Sequence, residues 1–342
     1  MNLSDNINTA KISIIVTFYN IEDHVAKCLD SVLAQDMPDF EVIAVNDGST
    51  DNTPYLLEEY AKKDARIQIL TLGNGGPSWA RNQGMLKTKG EYALFIDGDD
   101  FILPGCLSTL YSYATSKNAD IVIFSFITLK DGHFGNPIKL LYPKDTLMDS
   151  PTAAKYMLLS GDYRVWNKFI KRSFYMGKNI CFEEGVHIGE DVLVSYQMMC
   201  RAEQIFCIDE AFYVYAHRDT SVMNLPTTAQ KTRHQIYCFD NIKKEMQKSV
   251  FESNLTEVFE YRYIHDLILL LKRCYSAPEQ YKSSEDFKDA KTFLKDRFSD
   301  ISIARIVSNS YLKFSYKVKA IKLKSGIYKL EKAITRFLKQ KK

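Results

Sequence analysis

Between residues 12 and 127 the chain alternates short apolar, β-branched runs with stretches of helical spacing, and this alternation limits its fold more than any other feature. Residues 12–16 are one such run. Residues 25–35 follow with apolar side chains at Val25, Cys28, Leu29 and Val32, one face of a helix. The strand signal returns at 41–45, 67–70, 92–96 and 121–126, and the helical one at 53–62, 78–87 and 104–116. Pro54 suits the first turn of its helix, with Asp51 or Asn52 as cap. Strand–helix units of this size predict an α/β fold, a Rossmann-like, mostly parallel sheet with helices on both faces. Ligands on such sheets bind beyond the carboxyl ends of the strands, so the loops there are where chemistry is to be sought.

The pattern changes after Leu129. Residues 131–143 are rich in Gly, Pro and Lys and read as a connection or a small hairpin. Helices are expected at 152–159 and 190–200 and short strands at 205–208 and 212–215. From about Thr227 the signal is mainly helical and Lys-rich.

Four strand ends carry candidate chemistry. The first runs into Thr17-Phe18-Tyr19-Asn20, a turn without the glycines of a dinucleotide fold. Its residues suit stacking on a base and bonding its edge; a polar turn with a packed Phe explains them equally well. The second ends in Asn46-Asp47-Gly48, where the carboxylate can accept from a base or a ribose, or simply form an Asp-Gly turn that leads into a cap. The third leads to the segment Asn74-Gly75-Gly76-Pro77-Ser78-Trp79-Ala80-Arg81. An Arg early in a helix beside a glycine-rich loop suits a diphosphate, or is a surface Arg. The fourth ends in Asp97-Gly98-Asp99-Asp100. Three carboxylates in four residues repel one another and need a compensating charge. A divalent cation supplies it, because Mg²⁺ takes one or two protein carboxylates and completes its octahedron with water and phosphate oxygens.

These motifs together resemble the family 2 glycosyltransferases of GT-A fold. They stand in family order and near family spacing over residues 11–127, and the likeness continues more loosely to about 222 through Trp166-Asn167-Lys168, Glu184-Gly185, Glu190-Asp191 and the stretch from Tyr215 to Ser221. The later segments look like the subgroup that builds capsular and other exported polysaccharides in bacteria. The resemblance implies a catalytic domain over 1–222, with a nucleotide-binding half at 11–127 and an acceptor half at 128–222, and a helical region over 223–342. It implies that Thr17 and Tyr19 border the base, Asp47 bonds it and Arg81 approaches the nucleotide. Asp97 and Asp99 would form the D-x-D element that meets the ribose and a metal-bound diphosphate, with Asp99 the first choice of metal ligand. Asp191 matches the general base, Glu190 stands beside it, and Trp166 and Lys168 match a motif on the acceptor side. The implied reaction is inverting transfer from a UDP-sugar or related donor, with Mg²⁺ or Mn²⁺, to a hydroxyl of a glycan or polyprenyl-linked acceptor. Thr17 stands where the family usually has Pro, and Asn46 where it has Asp, which leaves the base open. His217 would either complete the metal shell, as a histidine does in some relatives, or serve as a structural or phosphate contact.

Charge and targeting complete the expectations. The net charge of +3 argues against a dedicated nucleic-acid binder, but residues 313–342 carry +10 and the rest of the chain −7. Ile327, Leu330, Ile334, Phe337 and Leu338 recur at helical spacing among Lys and Arg. That pattern either lies on anionic lipid or packs its apolar face on the body. No apolar run is long enough to span a membrane, and the first ten residues lack a secretory pattern. Seven scattered cysteines without a C-x-x-C argue against disulfides or structural zinc. A cytoplasmic protein, peripheral on the inner face of the cell membrane, is the expectation. Other functions remain: a non-catalytic sugar-nucleotide or glycan-binding scaffold on the same fold, a sugar-nucleotide-forming nucleotidyltransferase, whose Gly-rich first turn Thr17–Asn20 lacks, and, for the tail alone, nucleic-acid binding.

Overall fold

A computed structural model describes residues 10–186, 189–217, 228–247, 252–276 and 279–324. The chain divides into two units, Met1–Ser221 and Val222–Lys342. In chain order the first contains β1 (Ile12–Phe18), α1 (Glu22–Leu33), β2 (Phe40–Asn46), α2 (Thr53–Lys63), β3 (Ile67–Thr71), α3 (Pro77–Lys87), β4 (Tyr92–Asp97), β5 (Phe101–Ile102), α4 (Cys106–Ser116), β6 (Ile121–Lys130), β7 (His133–Phe134), β8 (Leu147–Met148), α5 (Ser150–Ser160), β9 (Lys168–Lys171), α6 (Arg172–Gly177), α7 (Glu190–Arg201) and β10 (Ile205–Ala216).

The sheet runs β3-β2-β1-β4-β9-β6-β10-β5, flanked by helices, with β7 on β6 and β8 on β10. β1, β2, β3 and β4 are mutually parallel, as are β6 and β10. β9 lies antiparallel between β4 and β6. Ile12, Ile14, Ile15 and Val16 of β1 are wholly buried, as strands covered on both faces must be. α3 can approach β1 and β2 closely because position 84 is glycine. A Cβ there would lie 2.5 Å from Ile15 Cγ2 and 3.0 Å from Val45 Cγ2. The register sets Thr17 opposite Asp97 and Phe18 opposite Asn46. The ends of β1, β2 and β4 therefore finish level, and their following residues share one sheet edge.

The expected short strands at 205–208 and 212–215 are one strand, β10, with register shifts between Cys207 and Tyr213 where it passes exposed Asp209 and Glu210. The glycine-bearing turn after β6 does close a small hairpin onto β7. All seven cysteines are free thiols.

The second unit contains α8 (Ala229–Gln247), α9 (Glu252–Ser276), α10 (Glu279–Lys282), α11 (Glu285–Ser299), α12 (Ile303–Ser308) and α13 (Phe314–Lys324). Its core gathers Ile236, Leu267, Ile268, Leu271, Leu294 and Phe298. Ala320 is buried in this core and Tyr316 and Leu323 pack against it, so the start of the basic tail seats its apolar face on the helical unit. The amphipathic stretch beyond Lys324 lies outside the described residues. Among the described residues no helix is long and apolar enough to cross a membrane.

Candidate active site

Arg81 is the hub of the site. It stands one turn into α3, is only 6% exposed, and meets carboxylates from two distant segments. Nη2 donates to Asp97 Oδ1 at 2.8 Å, and Nη1 faces Glu190 Oε1 at 3.2 Å and Asp191 Oδ1 at 3.4 Å. The guanidinium also lies 5.3 Å from the centre of the Phe182 ring. Burial alone would weaken its charge, but Asp97, Asp191 and Glu190 outweigh burial and raise its pKa. Asp97 ends β4 while Glu190 and Asp191 open α7, so this one side chain joins the sheet edge to the helix.

Asp191 is shifted strongly. Desolvation, aided by the neighbouring charges of Glu190 and Asp97, overcomes the attraction of Arg81 and Lys168 and pushes its pKa up to about 7. A carboxylate so poised is suited to proton abstraction near neutrality. α3 also positions the chain ahead of α7. The Asn82 amide donates to Phe182 O at 2.9 Å and Ser78 Oγ to Val186 O at 3.2 Å.

Asp47 follows β2, and both its oxygens accept from the glycine-rich loop, Gly75 N at 2.7 Å and Gly76 N at 2.8 Å. Next to it Gly48 has φ +72°, and a Cβ there would lie 2.7 Å from Asn74 N. Asn74 in turn donates to Tyr19 Oη at 3.1 Å. The Tyr19 ring is 46% exposed at the end of β1, open to stacking. Thr17 lies beside the acidic turn and accepts Gly98 N at 3.0 Å through its carbonyl.

Within the acidic turn the exposure alternates: Asp97 and Asp99 are partly exposed, Gly98 and Asp100 buried. Asp100 was not singled out from sequence as a site residue, and its surroundings are distinctive. Its Oδ2 accepts from Tyr213 Oη at 2.7 Å and its Oδ1 from Ala216 N at 2.8 Å. Burial, Asp99 and Asp97 raise its pKa well above the usual carboxylate range. No local signal marked Tyr213, which lies more than a hundred residues downstream.

Trp166 and Lys168 are both enclosed. Trp166 stacks on Tyr213 at 4.1 Å and 11° and meets Phe126 edge-on at 4.9 Å. Lys168 is fully buried in β9. Its Nζ donates to Asn167 Oδ1 at 3.0 Å and to Arg164 O, and stands 3.9 Å from buried Asp162. Burial lowers the Lys168 pKa against the pull of Asp162. His217 is exposed, edge-on to Tyr215 at 5.0 Å. The structure thus brings Arg81, Asp97, Glu190 and Asp191 together, with Thr17 and Asp99 alongside. Asp47 and Tyr19 gather around the glycine-rich loop, while Trp166 and Lys168 sit in packed surroundings.

Residues 13–178 match the model of glycosyl transferase family 2. They form a family 2 glycosyltransferase domain. The uncharacterized glycosyltransferase EpsJ of Bacillus subtilis is 31% identical over 228 residues, 65% of this chain and 66% of that protein. The poly(ribitol-phosphate) beta-glucosyltransferase of Bacillus spizizenii is also 31% identical, over 63% of this chain and 34% of its own length. The glycosyltransferase match therefore spans just under two thirds of one relative and about a third of the other. Residues 1–349 of Staphylococcus aureus TarS, solved with UDP-GlcNAc, superpose with a TM-score of 0.69 at 20% identity, over 93% of this chain and 92% of that one. This places the glycosyltransferase domain in the GT-A fold.

Proposed function

We propose that the protein transfers a sugar from a nucleotide-diphosphate sugar, UDP-linked, to a hydroxyl of a glycan or lipid-linked acceptor in surface-polysaccharide synthesis, with inversion. The observation that carries this reading is the Arg81 bridge. It holds the base candidate Asp191 beside the donor-side carboxylate Asp97, at 3.4 Å and 2.8 Å from one guanidinium. Relatives that include a poly(ribitol-phosphate) beta-glucosyltransferase and a fold neighbour bound to UDP-GlcNAc support the donor and acceptor classes.

The donor set fits a divalent cation shared with a diphosphate. Among the described residues no three His, Cys, Asp or Glu side chains form an all-protein cage. Asp100 has both oxygens bonded to β10. Asp97 and Asp99 remain partly exposed, and two carboxylates are what Mg²⁺ or Mn²⁺ takes beside phosphate oxygens and water. Such an ion, when bound, supplies charge neutralisation to the departing diphosphate. Asp47 fixes the glycine-rich loop, and Tyr19 offers a ring face to the base. Asp191 takes the acceptor proton as the acceptor oxygen bonds to the anomeric carbon. The bond from that carbon to the diphosphate breaks, and its electron pair leaves with the nucleotide. Arg81 orients Asp191 and balances the carboxylates around it.

A screen of UDP-, GDP- and dTDP-sugars for nucleotide release, with Mg²⁺ or Mn²⁺, tests class, donor and metal together. Asp191→Asn should reduce transfer by about 10²–10⁴-fold, the usual contribution of a positioned base, with UDP affinity unchanged. Normal turnover in that variant would remove Asp191 from the role.

A further inference from the structure

The acidic turn is held from two sides by different strands. On the β1 side Gly98 N donates to Thr17 O at 3.0 Å, and within the turn Asp100 N donates to Asp97 O at 2.9 Å. On the far side β10 supplies three tethers. Tyr213 Oη donates to Asp100 Oδ2 at 2.7 Å and accepts from Asp97 N at 3.1 Å. Ala216 N donates to Asp100 Oδ1 at 2.8 Å. Beyond Asp100 the chain continues into β5, which pairs with β10 at Tyr213 and Val214. Tyr213 is wholly buried and Asp100 is 2% exposed, so each of these polar groups depends on the others for its partner.

We propose that Asp100 and Tyr213 are positioning residues for donor binding: together they fix the peptide of Asp97 and hold the turn in the form that presents Asp97 and Asp99 to a metal-bound diphosphate. The side chains that can meet a ligand are the two partly exposed ones. The buried third carboxylate is engaged by β10, through Tyr213 Oη and Ala216 N. A phenol that bridges Asp97 N–H and the Asp100 carboxylate sets the peptide orientation at the first donor carboxylate. Because Tyr213 stacks at 4.1 Å on Trp166, the same ring connects the donor turn to the Trp166-Asn167-Lys168 segment that leads into β9. A change of packing at Trp166 is thereby passed to the donor turn through the Tyr213 ring. This inference rests on the proposed donor chemistry and adds the residues that shape its binding turn.

The test uses the full chain with UDP and Mn²⁺. Mn²⁺ is titrated in the presence of UDP, and binding is followed by loss of the free-ion electron paramagnetic resonance signal. Tyr213→Phe keeps the ring and its stack on Trp166 but removes the bridge. It should weaken Mn²⁺–UDP binding about tenfold while the thermal midpoint falls only modestly. Asp100→Asn keeps the shape but cannot accept both bonds as a carboxylate does, and should act in the same direction. It also stands in if Tyr213→Phe does not fold. A purely structural role would lower the melting temperature and leave the Mn²⁺–UDP affinity of the folded fraction within twofold of wild type, and that result overturns the inference. Wild-type protein that binds no Mn²⁺–UDP at all would instead overturn the donor reading itself, so the two failures are distinguishable.

Discussion

Three carboxylates share the Arg81 guanidinium, and their competition sets how Asp191 ionises. Glu190 and Asp97 raise its pKa and Arg81 lowers it, with desolvation the largest influence, so that it titrates at about 7. A base must be ionised to act. The kcat/KM of the free enzyme should therefore rise with pH to about 7 and level off above it, with activity lost on the acid side. Glu190→Gln removes the adjacent like charge and leaves Arg81 with one fewer carboxylate to serve. Both changes favour ionised Asp191, so the ascending limb of the pH–rate profile should move to lower pH. A limb that stays in place or moves upward would show that another group titrates. Arg81→Ala leaves the carboxylates without their counter-ion. Breaking a buried pair by removing one partner costs about 3–5 kcal/mol, and denaturant unfolding at neutral pH should register a loss of that order. Sequence alone read Arg81 as a diphosphate contact or a surface Arg, because no local pattern links residue 81 to residues 190 and 191. Asp47 was legible as a strand-end carboxylate for a similar reason of position, but its bonds to the amides of Gly75 and Gly76 required the fold.

At the scale of elements, α3 matters because it delivers Arg81, and it does so through one close contact with the sheet. Gly84 lies one turn beyond Arg81 and lets the helix settle onto Ile15 and Val45. Gly84→Ala would gain up to about 1 kcal/mol of helix propensity but meets methyls at 2.5 and 3.0 Å. Overpacking of this kind costs about 1–3 kcal/mol, so a net loss of about 1 kcal/mol or more is expected in denaturant unfolding. Transfer should fall further than stability, because the helix must lift and carries Arg81 with it. Gly177→Ala, where a new methyl has nothing within 4 Å, is the control and should stay within about 0.5 kcal/mol of wild type. Equal effects at the two positions would show that the close approach is not what seats α3. The alternation over residues 12–127 was legible because each strand is a mainly apolar, β-branched run and each helix has one apolar face. β9 was not, since it is four residues long and begins and ends in lysine. Lys168 can enter a buried strand because Asp162, Asn167 and the Arg164 carbonyl meet its ammonium group. β10 read as two strands because exposed Asp209 and Glu210 interrupt its apolar pattern at the register shift.

At the scale of the whole molecule the charge is divided, with +10 over residues 313–342 against −7 elsewhere. The structure describes this basic stretch as far as Lys324. α13 places Ala320 in the helical core, with Tyr316 and Leu323 packed against it, and Tyr316 Oη lies 3.2 Å from His265 Nε2 on α9. Residues up to Lys324 are thus part of the helical unit's own packing. Residues 325–342 hold six further Lys or Arg against the single acid Glu331, and their apolar residues recur at helical spacing. We propose that this last stretch is what draws the protein to anionic lipid, where each basic side chain near the surface contributes about 1 kcal/mol at moderate salt. The attraction should weaken as salt shortens the Debye length, from about 10 Å at 0.1 M to 3 Å at 1 M. Removal of residues 325–342 spares α13 and its core contacts, so the truncated chain should keep its melting temperature and its nucleotide affinity. Its co-sedimentation with phosphatidylglycerol vesicles should drop at least tenfold at low salt, while neither form binds neutral phosphatidylcholine vesicles. Equal sedimentation of the full and truncated chains would assign any lipid contact to the body, and unchanged binding at 1 M salt would show that it is not electrostatic.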